Sequence, residues 1–224
     1  MDIDKFIEIY WSYYSQLEND FFALEPFCAI DKINDKTFST KYLQLILSCC
    51  GEIDTICKKM CRVFCPEIDI DSTGIDDYKS VLMEHCPQIA DEVVTIAQHT
   101  YRDIRPWQPW KYQKNPHWWD TYNKVKHHRD EEWNGKEGFK HANQKTAIET
   151  LCALYIIVEY WAVQNYVIDS DKKNPTEMLN IKSARIVMKN WYSFYTSFMG
   201  NYFFAADYCK KYFGQKESTE GDMG

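Results

Sequence analysis

The side chains best suited to chemistry lie in one short segment of this 224-residue chain, residues 117–130. The segment reads His-Trp-Trp-Asp-Thr-Tyr-Asn-Lys-Val-Lys-His-His-Arg-Asp. Imidazole accepts and releases protons near neutral pH, and lysine and arginine neutralise phosphate charge. We therefore expect the functional site of the chain in this segment.

Helical spacing divides the segment into two faces. Pro116 precedes it, and proline is common where a helix begins. One face repeats at helical intervals and carries Trp118, Tyr122, Val125 and Arg129. The neighbouring face carries Trp119, Asn123, Lys126, His127 and Asp130. We expect the first face to pack on the core and the second to carry the site.

The run from Tyr122 to His127 resembles the signature of HEPN domains, the helical bundles named from higher-eukaryote and prokaryote nucleotide binding. That signature is an Arg, often followed by Asn, with a His a short distance further on. Asn123 and His127 match it, whereas Tyr122 stands at the Arg position. The wider pattern Trp-Trp-x-x-Tyr-Asn-x-x-Lys-His-x-Arg is similar to uncharacterised bacterial and phage-associated HEPN-like proteins. The resemblance covers residues 40–165.

The resemblance implies a homodimer that cuts RNA without a metal or cofactor, in a defence or toxin–antitoxin setting. In such enzymes the 2′-OH attacks the adjacent phosphate and leaves a 2′,3′-cyclic phosphate. His127 would then move the proton and Asn123 would orient the phosphate or the imidazole. Lys126 and Arg129 are the nearby cations that could replace the lost Arg. Trp119 and Tyr122 are expected to contribute to binding.

The alternative is a catalytically inactive HEPN-like module that binds RNA, a nucleotide or a protein partner. An enzyme should hold His127 and a cation in an open cleft, facing a second copy. A binding or structural module should bury Lys126, His127 and Arg129 in pairs with carboxylates. A helix-turn-helix regulator is disfavoured by the net charge of −7 and by the lack of a basic recognition helix.

A second predicted helix, residues 40–64, carries the carboxylates that could face the site. Ser39 or Thr40 can cap its beginning, and Pro66 follows its end. In the resembling proteins an acidic helix faces the motif helix, so Glu52 is expected near Asn123 and His127, with Asp54 beside it. The other interpretation is that both acids are solvated or pair with two lysines of the same helix, Lys58 and Lys59.

Cysteine spacing in the same helix favours packing over metal binding. Cys57, Cys61 and Cys65 recur every four residues, but no Cys-x-x-Cys knuckle accompanies them. Free cysteine behaves as a small apolar residue and is often buried. We therefore predict core thiols and no metal site. The acidic loop 67–74 lacks the ligand order of a calcium-binding loop.

Composition predicts an all-α protein, and the HEPN resemblance implies an up-and-down helical bundle. Hydrophobic residues make up 45% of the chain, while Gly (8) and Pro (7) are scarce. The acidic start Met1-Asp2-Ile3-Asp4 does not resemble a secretory signal, and the apolar stretch 147–163 is interrupted by charges. These features predict a cytoplasmic protein without membrane contact.

Three regions are expected along the chain. Residues 1–170 should form the bundle, with a first helix over 3–23 and further helices over 75–86 and 87–100. A central helix should span 142–166, while the aromatic loop 101–117 either packs down or stacks bases. Residues 171–214 form an aromatic extension, a candidate interface for a second copy or another protein. Residues 215–224 are expected to be disordered.

Overall fold

A computed structural model describes Met1, residues 3–166 and residues 183–189 of the chain. This part is mostly helical, which confirms the predicted helical class. Most of the predicted aromatic extension and all of the predicted disordered tail lie outside the described residues. Residues 183–189 are the described part of that extension.

The α-helices and strands follow one another in a simple order. The helices are α1 (Ile3–Phe6), α2 (Ser12–Phe22), α3 (Thr40–Phe64), α4 (Ile75–His85), α5 (His117–His127) and α6 (Gln144–Tyr166). A π-helical turn, Ile7–Trp11, joins α1 to α2, so the predicted first helix is continuous. The strands are β1 (Val94–Ile96), β2 (Glu132–Trp133), β3 (Lys136–Glu137) and β4 (Ile186–Met188).

Helix α3 begins and ends where the sequence predicts. The Ser39 hydroxyl accepts a hydrogen bond from the Tyr42 amide at 3.1 Å, which satisfies a donor that the helix leaves free. The helix ends at Phe64, before Pro66. Its apolar stripe includes Ile46, Ile53 and Ile56, all fully buried.

The core of the described fold is built around α3 and α6, which pack along each other. Helices α2 and α5 each contact both of them, and α4 packs against α3. Helix α6 is buried around nearly its whole circumference, as expected for a central helix with apolar residues on all sides. None of the described helices combines the length and apolarity that a membrane crossing requires.

The prediction of a helix over residues 87–100 is wrong. Pro87–Asp91 forms a 3-10 turn, and β1 follows it. Val93, Val94, Thr95 and Ile96 are β-branched, a residue type that favours extended backbone. Strand β1 pairs antiparallel with β4 and places Val94 opposite Met188.

The proline-rich loop before α5 packs into the core. Trp107 and Trp110 are fully buried. The Trp107 indole N–H donates to the Ala153 carbonyl at 3.3 Å, and the Trp118 indole N–H donates to the Pro106 carbonyl at 2.9 Å. The packing interpretation of this loop is therefore confirmed, and the loop fixes the beginning of α5 against α6.

Candidate basic edge at the end of helix α5

Helix α5 is anchored by an aromatic face. Trp118 and Val125 are buried, as their helical positions predict. Trp119 is also buried, although the sequence places it on the site face, and its ring meets Tyr78 edge-on at 6.4 Å. Trp119 therefore packs against α4 and is covered by protein, so it is not placed to stack on a base.

Tyr122, the residue at the signature Arg position, belongs to the same core. Its side chain is 8% exposed, and its ring lies 5.2 Å from the Trp119 ring. The Lys126 ammonium lies 5.3 Å from the centre of the Tyr122 ring, within the range of a cation–π interaction. Lys126 thus places a positive charge one turn further along the helix than position 122.

The predicted catalytic side chains lie together on the surface. Asn123, Lys126, His127 and Arg129 are all exposed, and we call these four residues the basic edge. None of their side chains forms a salt bridge or a hydrogen bond with any residue that the structure describes. The burial of Lys126, His127 and Arg129 in carboxylate pairs, expected for a binding or structural module, does not occur within the described chain. The exposed side chains are therefore available for binding as well as for catalysis.

His128 directly follows the last residue of α5 and lies beside His127. Helix α5 ends at His127, and His128 leaves the helical conformation with φ −135° and ψ 38°. The centres of the two imidazole rings are 6.3 Å apart. The Nδ1 of His128 lies 2.7 Å from the Glu131 carboxylate, a contact that the sequence analysis missed. The three-residue spacing of His128 and Glu131 is the signal that could have indicated it.

A hairpin supports the turn that follows α5. Strands β2 and β3 are joined by Asn134 and Gly135, whose φ angles of 51° and 73° suit a tight hairpin turn. The chain then returns so closely that a Cβ on Gly138 would lie 2.5 Å from the His128 carbonyl oxygen. Only glycine allows this approach without movement of the backbone. A close backbone contact between Gly138 and His128 therefore supports the chain next to the basic edge.

The acidic residues of α3 do not reach the basic edge. Asp54 pairs with Lys58 at 3.0 Å and accepts a hydrogen bond from the Tyr78 hydroxyl at 2.6 Å, which confirms the alternative interpretation for Asp54. Glu52 is half-buried, and burial raises its pKa. Neither carboxylate forms a hydrogen bond or an ion pair with Asn123 or His127.

The cysteine stripe of α3 is part of the core. Cys57 and Cys61 are fully buried, and Cys65 is half-buried. Burial raises the pKa of Cys61 to about 12 and that of Cys57 well above its ordinary value, so both are protonated thiols at neutral pH. Within residues 1, 3–166 and 183–189, no three His, Cys, Asp or Glu side chains are grouped as metal ligands would be.

Comparison with known proteins does not assign the chain to a family. No protein-family model, no curated protein and no solved structure matches it. The HEPN resemblance therefore rests on the residues of α5 alone, and its functional implications stay proposals.

Proposed function

We propose that this chain is a HEPN-like helical bundle that binds RNA through the basic edge as a non-cleaving module. The observation that supports this proposal is the exposure of Asn123, Lys126, His127 and Arg129, whose side chains form no hydrogen bond or ion pair with the described residues. Free cations on a chain of net charge −7 are available to phosphate groups without first breaking an internal ion pair.

Contacts with the RNA backbone fit this surface better than contacts with bases. The aromatic rings nearest to the basic edge, Trp119 and Tyr122, are buried, so they are not exposed as stacking platforms. Lysine and arginine contacts to phosphates set affinity and position but read no sequence. Binding should therefore be nearly independent of sequence and strongly dependent on salt.

Two features favour binding over cleavage. The cation of the signature is absent because the buried Tyr122 stands in its place. Lys126 supplies a charge nearby, but an ammonium lacks the planar fork with which arginine grips a phosphate in two places. Stabilisation of the phosphorane would therefore be weaker than the signature provides.

Metal-independent cleavage is the second candidate function, favoured by the two neighbouring imidazoles. One imidazole would take the 2′-OH proton as the bond from O2′ to phosphorus forms. The other, as imidazolium, would protonate the departing 5′-oxygen as its bond to phosphorus breaks. Glu131, which lies 2.7 Å from the Nδ1 of His128, would hold this second ring in place. The homodimer and the defence or toxin–antitoxin setting remain proposals from the resemblance.

RNA binding by purified full-length protein tests the main proposal. The double variant Lys126→Gln/Arg129→Gln should weaken binding of a single-stranded RNA by about tenfold or more and reduce the dependence of log K on log salt by about one for each lost phosphate contact. The double variant Lys36→Gln/Arg62→Gln removes the same charge from exposed residues elsewhere and is the matched control. Equal losses in both variants would contradict a localised site.

RNA cleavage in EDTA separates the two candidates. The binding proposal predicts intact RNA with wild-type protein. Cleavage that leaves cyclic phosphate ends, and that disappears in both His127→Ala and His128→Ala, would establish the second candidate instead. Lys126→Ala should then slow cleavage if its ammonium stabilises the phosphorane.

A further inference from the structure

A cavity of about 470 Å³ opens on another part of the described surface. It lies between the turn that holds Lys32 and Asp35, the loop 101–108 and the first turns of α6. None of the four residues of the basic edge lines it. The volume falls in the range of small-molecule sites, about 300–1,000 Å³.

The cavity combines an apolar wall with cationic side chains. Ile104, Pro106 and Ile148 supply the apolar wall. The cations that line it are Lys32, Arg102, Arg105 and Lys145. Such a lining suits a ligand with an anionic end and an apolar or ring-shaped body.

The carboxylates of the cavity are largely occupied. Asp35 accepts a hydrogen bond from the Tyr101 hydroxyl, and Asp103 pairs with Lys189. Glu149 has only a long contact, 3.9 Å, with Lys145. Burial raises the pKa of Glu149, an effect that Lys145 opposes and Asp35 reinforces.

The two arginines remain available to a ligand. Among the described residues, Arg102 has no hydrogen bond or ion pair, and Arg105 donates only a 3.5 Å hydrogen bond to the Asp91 carbonyl. Both side chains are exposed. A guanidinium presents paired donors that match the oxygens of a phosphate. Arg102 and Arg105 both line the cavity, so both can contact a phosphate group bound in it.

We propose that this cavity binds a small organic phosphate, with Arg102 and Arg105 on the phosphate and the wall of Ile104 and Ile148 against the organic body. Lys32 adds charge at the rim, and Gln108 offers an amide to a polar group of the ligand. The cavity is separate from the basic edge, so this proposal can be tested independently of RNA binding.

Calorimetric titration of the full chain tests the site with three probes. Naphthyl phosphate carries both ligand parts, inorganic phosphate carries only the anion, and naphthol carries only the rings. We expect saturable binding of naphthyl phosphate, at least about tenfold tighter than that of either partial probe, because anion and apolar contacts add. Absence of saturable binding in the millimolar range, or equal affinity for naphthyl phosphate and naphthol, would overturn the proposal.

Matched variants test whether Arg102 and Arg105 bind the phosphate group. Arg102→Gln/Arg105→Gln should weaken naphthyl phosphate by about tenfold or more, while Arg62→Gln, an exposed arginine of α3, should leave it unchanged. Far-ultraviolet circular dichroism of each variant checks that the fold persists, and Arg102→Lys/Arg105→Lys keeps the charge while removing the fork. Unchanged affinity in the folded glutamine variant would place the phosphate elsewhere and refute the assignment.

Discussion

The ammonium of Lys126 lies over the ring of Tyr122, 5.3 Å from its centre. The two residues are separated by about one turn of α5. This arrangement explains how a tyrosine can stand at the Arg position of the signature without leaving the surface there uncharged. The Tyr122 ring packs in the core, and the Lys126 side chain above it is exposed to solvent.

Tyr122 should therefore tolerate loss of its hydroxyl but not conversion to the signature residue. Tyr122→Phe keeps the ring and should change the free energy of unfolding by less than about 1 kcal/mol. The reason is that the Tyr122 hydroxyl forms no hydrogen bond within the described chain. Tyr122→Arg would bury a cation without a carboxylate and should cost about 3 kcal/mol or more. Urea unfolding measures both. An arginine variant as stable as wild type would contradict the buried position.

Stability should fall as pH rises through the titration of Glu92. This carboxyl is buried, it accepts a hydrogen bond from the Tyr160 hydroxyl at 2.7 Å, and burial raises its pKa to about 7 from 4.5. Well below pH 4.5 the Glu92 carboxyl is protonated in both the folded and the unfolded chain, so its titration does not change the free energy of unfolding there. Between 4.5 and 7 the unfolded chain loses the proton first, which favours unfolding by up to about 3 kcal/mol at higher pH.

The variant Glu92→Gln removes this titration. It should be close to wild type in stability near pH 4.5 and more stable than wild type by roughly 2–3 kcal/mol above pH 7. Urea unfolding across that range measures the difference. Glu84→Gln, at an exposed position of α4, is the control and should show no such crossover. Parallel curves for Glu92→Gln and wild type would show that Glu92 titrates normally.

Substitution of Gly138 should destabilise the fold, because the backbone of His128 and Arg129 lies too close to accept a Cβ. Gly138→Ala would place a Cβ 2.5 Å from the His128 carbonyl oxygen and 3.0 Å from the Arg129 Cα, so it should cost about 1–3 kcal/mol. It should also weaken RNA binding by displacing Arg129. Gly51→Ala in α3 meets no atom within 4 Å and should stabilise the fold by roughly 0.5–1 kcal/mol. Thermal unfolding of both variants measures this contrast.

Thiol labelling should distinguish core cysteines from a reactive or metal-binding cluster. Cys49, Cys57 and Cys61 are buried and their pKa values are raised by burial, so they should not react with a disulfide reagent at neutral pH in the folded protein. Half-buried Cys65, which directly follows α3, should react before these three. Mass spectrometry after proteolysis identifies the labelled positions. Rapid labelling of Cys57 would contradict its place in the core.

Local signals in the sequence were sufficient for the long helices. The bounds of α3 follow from Ser39 and Pro66, and the beginning of α5 follows from Pro116. The central position of α6 follows from apolar residues around its circumference. Each of these features depends on residues that are neighbours along the chain.

Features set by distant residues were not predictable in the same way. Strand β1 depends on pairing with β4, which follows α6 in the chain. The environment of Glu52 depends on how α3 is rotated against α5, which a single helical pattern does not fix. The position of His128 depends on where α5 ends, and no glycine or proline there marks the end.

The β1–β4 pair has a consequence for the order of folding. Val94 to Ile96 emerges from the ribosome early, but its partner strand is made only after the whole of α6. The pairing therefore closes a long loop late, a slow kind of contact. Ser183 forms a second long-range contact, because its hydroxyl donates a hydrogen bond to the buried Glu18 carboxylate. A chain that stops after α6 would lack both contacts, and β1 would keep its backbone hydrogen bonds with Tyr101 and Ile104.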